Sequence, residues 1–217
     1  METKVLERYL TSRRLERIED VLSRRTRRLI LALEDVHDPH NVAACIRSAE
    51  GMGLQEVHVI PGPKGFAPHP KVVQGAKKWI EINRHATPTE CAIELRRRGF
   101  RIWAGAMTPD AIPIQDLDFS EPVALVFGNE HDGVSQALLD EADGAFVIPM
   151  RGFTQSFNIS VAAAISLHFA VEARRRLFGD EGDLAPEDRM NLRSRWIELS
   201  IPRAAQLKDE LRSRGEL

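Results

Sequence analysis

Residues Ile148 to Leu167 read IPMRGFTQSFNISVAAAISL, and the fold turns on how that stretch is read. It begins at the end of an apolar run, Ala145 to Pro149, whose pattern predicts a strand. A polar loop follows with Gly152, Thr154, Gln155, Ser156 and Asn158. A small-residue helix is then expected from Ile159 to about Arg176. Strand end, polar loop and helix N-terminus together make the ligand-binding corner of an α/β domain. Ala162, Ala163 and Ala164 carry almost no side chain, so a neighbour can pack close to that helix. Asn158 or Ser160 can cap it. The same spacing also fits a crossover packed tightly for stability alone.

Working outward, strands and helices alternate. Leu29 to Leu33 is a short apolar strand, followed by a loop and a helix expected to start at Asn41, with Val42, Ile46 and Ala49 on its buried face. Val57 to Ile60 is the next strand, closed by Pro61-Gly62-Pro63-Lys64-Gly65. Ile80 to Asn83 is a short strand, and Thr87 to Arg98 an amphipathic helix with a Thr-Pro start. Arg101 to Ala106 and Pro122 to Phe127 complete the strand pattern, the latter continuously apolar as buried parallel strands are. The loop Gly128 to Gly133 leads to a short helix, Val134 to Ala142. Beyond Arg176 a Gly- and acid-containing linker precedes two charged helices, about Glu187 to Leu199 and Arg203 to Arg214, with Trp196 and Leu199 as apolar anchors. The pattern predicts an α/β domain with a mainly parallel sheet over residues 29–176. A basic helical arm, 1–28, precedes it and a helical extension, 177–217, follows.

Composition narrows the function classes. No apolar run reaches the roughly 18 residues a membrane helix needs. The charged start is not a secretory signal. Cys45 and Cys91 have neither a CxxC nor a zinc spacing, so free thiols, no metal and a cytoplasmic location are expected. The net charge of −2 conceals an asymmetry: residues 1–30 hold nine Lys/Arg against five Asp/Glu. Residues 4–28 are predicted helical, with Leu15, Ile18 and Leu22 on one face. Arginine outnumbers lysine there, and its guanidinium binds phosphate in two-pronged fashion. A nucleic-acid contact for the arm is therefore expected, against the plainer possibility of a solvated face. The chain has no GxxxxGK[ST] phosphate loop, no GxGxxG after the first strand, no HExxH and no GxSxG. What remains is three polar clusters at strand ends: Asn41 with Arg47, Gly128 to Gly133, and Ile148 to Asn158.

Those clusters carry a resemblance. Asn41-Val-Ala-Ala-Cys-Ile-Arg47, Phe127-Gly-Asn-Glu130-His-Asp-Gly133 and Ile148 to Ala163 stand in the order of the three motifs of the SpoU branch of the SPOUT RNA methyltransferases, and nearly the whole chain resembles that family. Phe157, where the family usually has Leu, and Phe153, expected as Met, depart from the pattern. The resemblance implies a C-terminal deep trefoil knot and S-adenosylmethionine as cofactor. It further implies a homodimer that shares its site between chains, and methylation of a ribose 2′-hydroxyl in RNA. The short N-terminal segment points to tRNA, at the D-loop guanosine numbered 18, over ribosomal RNA. It implies chemistry at Arg47, Asn41, Glu130, Ser156 and Asn158, and cofactor contacts at Ala106, Gly128, Ile148, Met150 and Phe157. RNA contacts are implied at Arg8, Arg14, Arg17, Arg174 and Arg176. His40 and His131 stand beside the motifs as possible substrate contacts or ordinary loop residues. Two competing expectations are a catalytically inactive RNA-binding protein of the same fold and a small-molecule α/β enzyme with no affinity for RNA.

Overall fold

The computed structural model describes residues 2–62 and 75–217. The chain opens with helices α1 (Glu2–Glu7) and α2 (Ser12–Leu22). Then come β1 (Leu29–Glu34), α3 (Pro39–Gly51), β2 (Glu56–Ile60), β3 (Glu81–Arg84), α4 (Pro88–Arg97), β4 (Arg101–Gly105) and β5 (Ile112–Pro113). They are followed by β6 (Val123–Phe127), α5 (Gln136–Leu139), β7 (Gly144–Val147) and α6 (Ile159–Phe178). The last helices are α7 (Pro186–Ser200) and α8 (Ala204–Ser213). The chain forms two compact units: residues 26–180, and the residues up to Arg25 together with 181–217.

The larger unit is a seven-stranded sheet in the order β3-β2-β1-β6-β4-β7-β5, and every pairing is parallel. The central strands are apolar throughout because both faces are covered. Leu29, Leu31 and Leu33 of β1 face a core shared with Val42, Ile46 and Ala49 of α3 and Ala163, Leu167 and Ala170 of α6. Ile30 and Ala32 face the opposite core, with Cys91, Ala92 and Leu95 of α4 and Leu138 of α5. The small residues of α6 thus serve a close approach between α3 and α6, which pack together. Strand β6 lies between β1 and β4, and β7 between β4 and β5, so the carboxyl ends of β1, β6, β4 and β7 are neighbours along one edge.

The opposite edge is sealed by charge. Glu56 at the start of β2 is buried and receives Arg27 at 2.6 Å and Arg98 through two contacts of 2.8 Å. Arg27 also bridges to Glu81, at 2.9 and 3.0 Å. Burial works to raise the Glu56 carboxyl, but hydrogen bonds from His58, Arg98 and Arg27 overcome it and hold the group far below the usual carboxylate range. Two arginines of the basic arm have structural partners. Arg27 closes the sheet edge, and Arg25 is buried with its guanidinium 5.1 Å from the Trp196 ring centre.

In the smaller unit α1 and α2 pack against α7. The single helix predicted over residues 4–28 is two, because Thr11 adopts an extended backbone and its hydroxyl accepts from Arg14 N to start α2. Ile18, Leu22 and Trp196 are buried, whereas Leu199, expected as an anchor, is 39% exposed. Two further starts differ from expectation. Asp38, not Asn41, caps α3, with Pro39 in the first turn. The short strand β5 has too little sequence to signal itself. The expected turn residues Pro63, Lys64 and Gly65 lie outside the described residues. Among the described residues no helix is long and apolar enough to cross a membrane.

Because the folded-state pKa of Glu56 is depressed, its contribution is present above the ordinary carboxylate range and is lost as pH falls through the folded value. Glu56→Gln is expected to cost about 3 kcal/mol at neutral pH, since it leaves Arg98 without its carboxylate and Arg27 with Glu81 alone. The acid limb of the stability curve should flatten in the same variant. Urea midpoints measured against pH check both; an unchanged midpoint and slope would rule the network out as a stabiliser.

Candidate active site

Three loops meet at the carboxyl edge of the sheet, and three side chains tie them together. Asn41 sits in the first turn of α3, after β1. Glu130 lies in the loop after β6, and Asn158 in the loop between β7 and α6. Asn41 Nδ2 donates to Glu130 Oε1 at 2.7 Å, and Asn158 Nδ2 donates to Asn41 Oδ1 at 3.1 Å. Asn158 Oδ1 in turn accepts from Ser160 N at 2.9 Å and from Ser160 Oγ at 2.6 Å. Asn158 is thus both the cap of α6 and a member of the relay. The relay has one consistent polarity. An ionised carboxylate only accepts, so Asn41 must turn its NH₂ to Glu130 and its carbonyl to Asn158. Burial works to raise the Glu130 carboxyl, but donors from Asn41 and from the backbone of Glu130, His37 and Asp38 together bring it below its ordinary value. Glu130 is therefore the charged end of the relay, and each amide keeps one N–H to offer a ligand.

Local sequence explains why these groups face one another. Asp38 Oδ1 accepts from His40 N at 2.8 Å and so takes the capping role that would otherwise fall to Asn41. The Glu130 loop is closed by a two-way backbone pair between Asn129 and Gly133, 3.1 Å each way. Asn129 Oδ1 pins His131 N and Asp132 N at 2.8 and 2.7 Å. Gly133 has φ +73°, and a Cβ on Gly128 would stand 1.8 Å from the Gly133 carbonyl oxygen. The side-chain space at Gly128 is therefore taken by its own loop. Gly105 likewise gives its space to Phe127, whose ring would lie 3.2 Å from an added Cβ. Beneath the loop, buried Glu34 accepts from Ser135 N at 2.9 Å and fixes the start of α5.

Arg47 is exposed and makes no hydrogen bond or ion pair among the described residues. It stands six residues beyond Asn41, roughly 9 Å along the helix axis and about 120° round it. The structure therefore joins Asn41, Glu130 and Asn158 but leaves Arg47 as a separate cation on the same helix. Ser156 is exposed on the β7–α6 loop and also makes no hydrogen bond among the described residues. Of the flanking histidines, His37 N donates to Glu130 Oε2 at 3.4 Å and its ring centre lies 6.1 Å from that of His131. Asp38, His37 and the exposed Arg151 complete this rim. The Asp-Pro pair at 38–39 was the available signal for the first.

Ala106, Gly128, Ile148 and Met150 follow three adjacent strands, β4, β6 and β7, so topology brings the expected cofactor residues to one stretch of edge. Phe157 is 40% exposed, and Met107, beside Ala106, is also exposed. Both offer apolar faces at loop level. Thr108 Oγ1 is buried with no hydrogen-bond partner. Apolar faces with one unpaired hydroxyl suit a ligand that has a flat ring and polar edges. The expected RNA-contact arginines differ from one another. Arg8 is exposed, Arg17 pairs with Asp20 at 2.7 Å, and Arg14 Nε donates to Ser200 Oγ at 3.0 Å. Arg174 donates to the Phe119 carbonyl at 2.9 Å, while Arg176 is exposed.

An all-parallel sheet covered on both faces, with a charged amide relay across the loops at its carboxyl edge, defines an α/β protein of the kind that binds its ligands at that edge. The chain belongs to the SpoU rRNA methylase family, whose model matches residues 28–168. It is 38% identical over 192 residues to the tRNA (guanosine(18)-2′-O)-methyltransferase of Thermus thermophilus, covering 88% of this chain and 98% of that one. The solved structure of the A. aeolicus TrmH/SpoU tRNA modifying enzyme matches with a TM-score of 0.80 at 30% identity, over 92% of this chain and all of that one. The SpoU methyltransferase AviRb from Streptomyces viridochromogenes, solved in complex with AdoMet, matches with a TM-score of 0.62 at 28% identity, over 74% of this chain and 62% of that one.

Gly128→Ala is expected to force the 128–133 loop open and to cost about 1–3 kcal/mol of stability. The thermal midpoint reads this directly. A variant as stable as the parent would show that the loop closure is not required.

Proposed function

We propose that this chain methylates the ribose 2′-hydroxyl of the D-loop guanosine at position 18 of tRNA, using S-adenosylmethionine. The observation that carries the proposal is the relay from Asn158 through Asn41 to ionised Glu130, on whose helix, α3, exposed Arg47 also stands. The name of the Thermus thermophilus relative supports the substrate, and the AdoMet complex of AviRb supports the cofactor. The cofactor-side residues are Ala106, Gly128, Ile148, Met150 and Phe157. The first four present backbone and small apolar groups, and Phe157 a ring face. When bound, S-adenosylmethionine supplies a methyl group on a positively charged sulfur.

The protein's own task is to orient the hydroxyl and manage its proton. Methyl transfer to that oxygen would release the hydroxyl proton to solvent. Asn41 and Asn158 each hold one free amide N–H in a fixed direction, which suits them to grip ribose oxygens. Glu130 fixes that direction. Arg47 is the cation that α3 carries beyond Asn41. Its role is electrostatic: it lowers the energy of the developing alkoxide and holds an adjacent phosphate. Ser156 lines the loop and orients the substrate or the methionine end of the cofactor. Exposed Arg8, Arg17 and Arg176, with Arg14 and Arg174 at their tethered positions, grip the RNA backbone without reading its sequence.

Three structural elements of the proposal rest on the fold. The insertion of β6 and β7 between strands laid down earlier supports a knotted final crossover. Exposed Val161, Phe169, Leu177 and Phe178 on α6 support a homodimer in which two chains share each site. The free cysteines Cys45 and Cys91 support a cytoplasmic enzyme.

The experiment is transfer of labelled methyl to an unmodified tRNA transcript, with the modified nucleotide mapped. Label on the 2′-oxygen of the D-loop guanosine is expected. Label on ribosomal RNA alone would overturn the substrate, and no transfer to either RNA would overturn the activity. Arg47→Ala is expected to keep cofactor affinity while turnover falls by about 10²–10³-fold. Unchanged turnover would remove Arg47 from the chemistry.

A further inference from the structure

Away from the carboxyl-edge site, three residues with metal-binding side chains meet inside the larger unit. His58 is in the middle of β2, His85 directly follows β3, and Cys91 is in the first half of α4. All three are buried, at 1%, 7% and 1% exposure. One donor atom from each lies within 4.8 Å of the other two. We propose that His58, His85 and Cys91 form a binding site for a zinc ion that fastens β2, β3 and α4 together. This inference is independent of the methyl-transfer proposal.

The chemistry of the donor set is the first support. Two imidazole nitrogens and one thiolate suit zinc, which takes nitrogen and sulfur ligands in tetrahedral arrangement and accepts three protein ligands with a water in the fourth position. The surroundings of His58 are the second. Its Nδ1 faces His85 Nε2 at 2.8 Å, and its Nε2 faces Glu56 Oε2 at 3.4 Å. Glu56 is itself anchored by Arg27 and Arg98. A carboxylate behind a histidine holds the Nε2–H and leaves Nδ1 as a lone pair pointing inward, the outer arrangement typical of metal-ligating histidines. Asn83 Nδ2, 3.0 Å from Glu56 Oε2, steadies the same carboxylate.

When zinc binds, the sulfur–hydrogen bond breaks, a zinc–sulfur bond forms and one proton leaves to solvent; nothing is oxidised or reduced. The distances define the adjustment required. Two nitrogens around a tetrahedral zinc stand about 3.3 Å apart, and nitrogen and sulfur about 3.5 Å. The histidine nitrogens, 2.8 Å apart, must therefore open by about half an ångström, their rings turning so that both lone pairs meet one ion, and Cys91 Sγ must close in from within 4.8 Å of them. Pairwise motif spacing misses such a site, because its ligands stand 27 and 6 residues apart on three separate elements.

The test uses the full chain under reducing conditions near neutral pH, stripped by chelator and titrated with Co²⁺ as a spectroscopic substitute for zinc. One equivalent should bind with a thiolate-to-cobalt charge-transfer band. Cys91→Ala should lose the band and His85→Gln should lose tight binding, while Cys45→Ala, a buried cysteine in the opposite core, should keep both. In the parent chain, excess Zn²⁺ should raise the melting midpoint by roughly 5 °C or more, a readout that needs no variant. Failure to bind, a band that survives in Cys91→Ala, or a melting midpoint indifferent to zinc would each overturn the proposal. None of these readouts depends on methyl transfer.

Discussion

The hydrogen bond from Asn41 to Glu130 is the contact on which the site depends. It joins the loop after β1 to the loop after β6, two strands that are neighbours in the sheet. Through Asn41 Oδ1 it reaches Asn158 and the loop after β7. None of the three groups has a choice of orientation once Glu130 is ionised, because a carboxylate demands a donor and each amide then presents a known end to its neighbour. The site is therefore preset by one charge. The loops hold that charge in place with their own backbone pairs, and the donors around Glu130 keep it ionised below its ordinary titration range. A fixed array of dipoles of this kind needs no reorganisation during reaction.

The array can exist only because the sheet beneath it is parallel and covered on both faces. Parallel pairing places the carboxyl ends of all strands on one edge, and insertion of β6 and β7 among earlier strands brings distant motifs side by side. The two edges of the sheet divide the labour. At the amino-terminal edge buried Glu56 is matched by two arginines, so its charge is spent on stability. At the carboxyl-terminal edge the Glu130 charge is matched by amides and backbone N–H groups, whose spare donors face outward. Arg47 stands apart from both systems, with its charge uncommitted among the described residues.

Much of this was legible in the sequence, for physical reasons that can be named. Continuously apolar strands such as Val123 to Phe127 announce a doubly covered sheet, and the order of Asn41, Glu130 and Asn158 at strand ends announces the site. Capping was legible where a single side chain decides it, as at Thr87. It misled at Asn41, because Asp38 three residues earlier competes for the same role and wins, which frees Asn41 for the relay. The basic arm was read from charge alone, and charge does not reveal a partner. Arg25 meets the Trp196 ring and Arg27 meets Glu56 and Glu81, pairings that bridge long stretches of sequence. Gly105 and Gly128 leave room for an aromatic ring and a returning loop, a packing role visible only once β4, β6 and β7 are adjacent.

The most direct measurement is a double-mutant cycle on methyl transfer, with Asn41→Ala, Glu130→Gln and the pair compared by kcat/KM. If the relay acts as one unit, the first substitution removes most of its benefit and the second adds little. The coupling between the two positions should then reach about 1–3 kcal/mol. If the two losses instead add to within about 0.5 kcal/mol, Asn41 and Glu130 act separately, and the hydrogen bond between them does not organise the site.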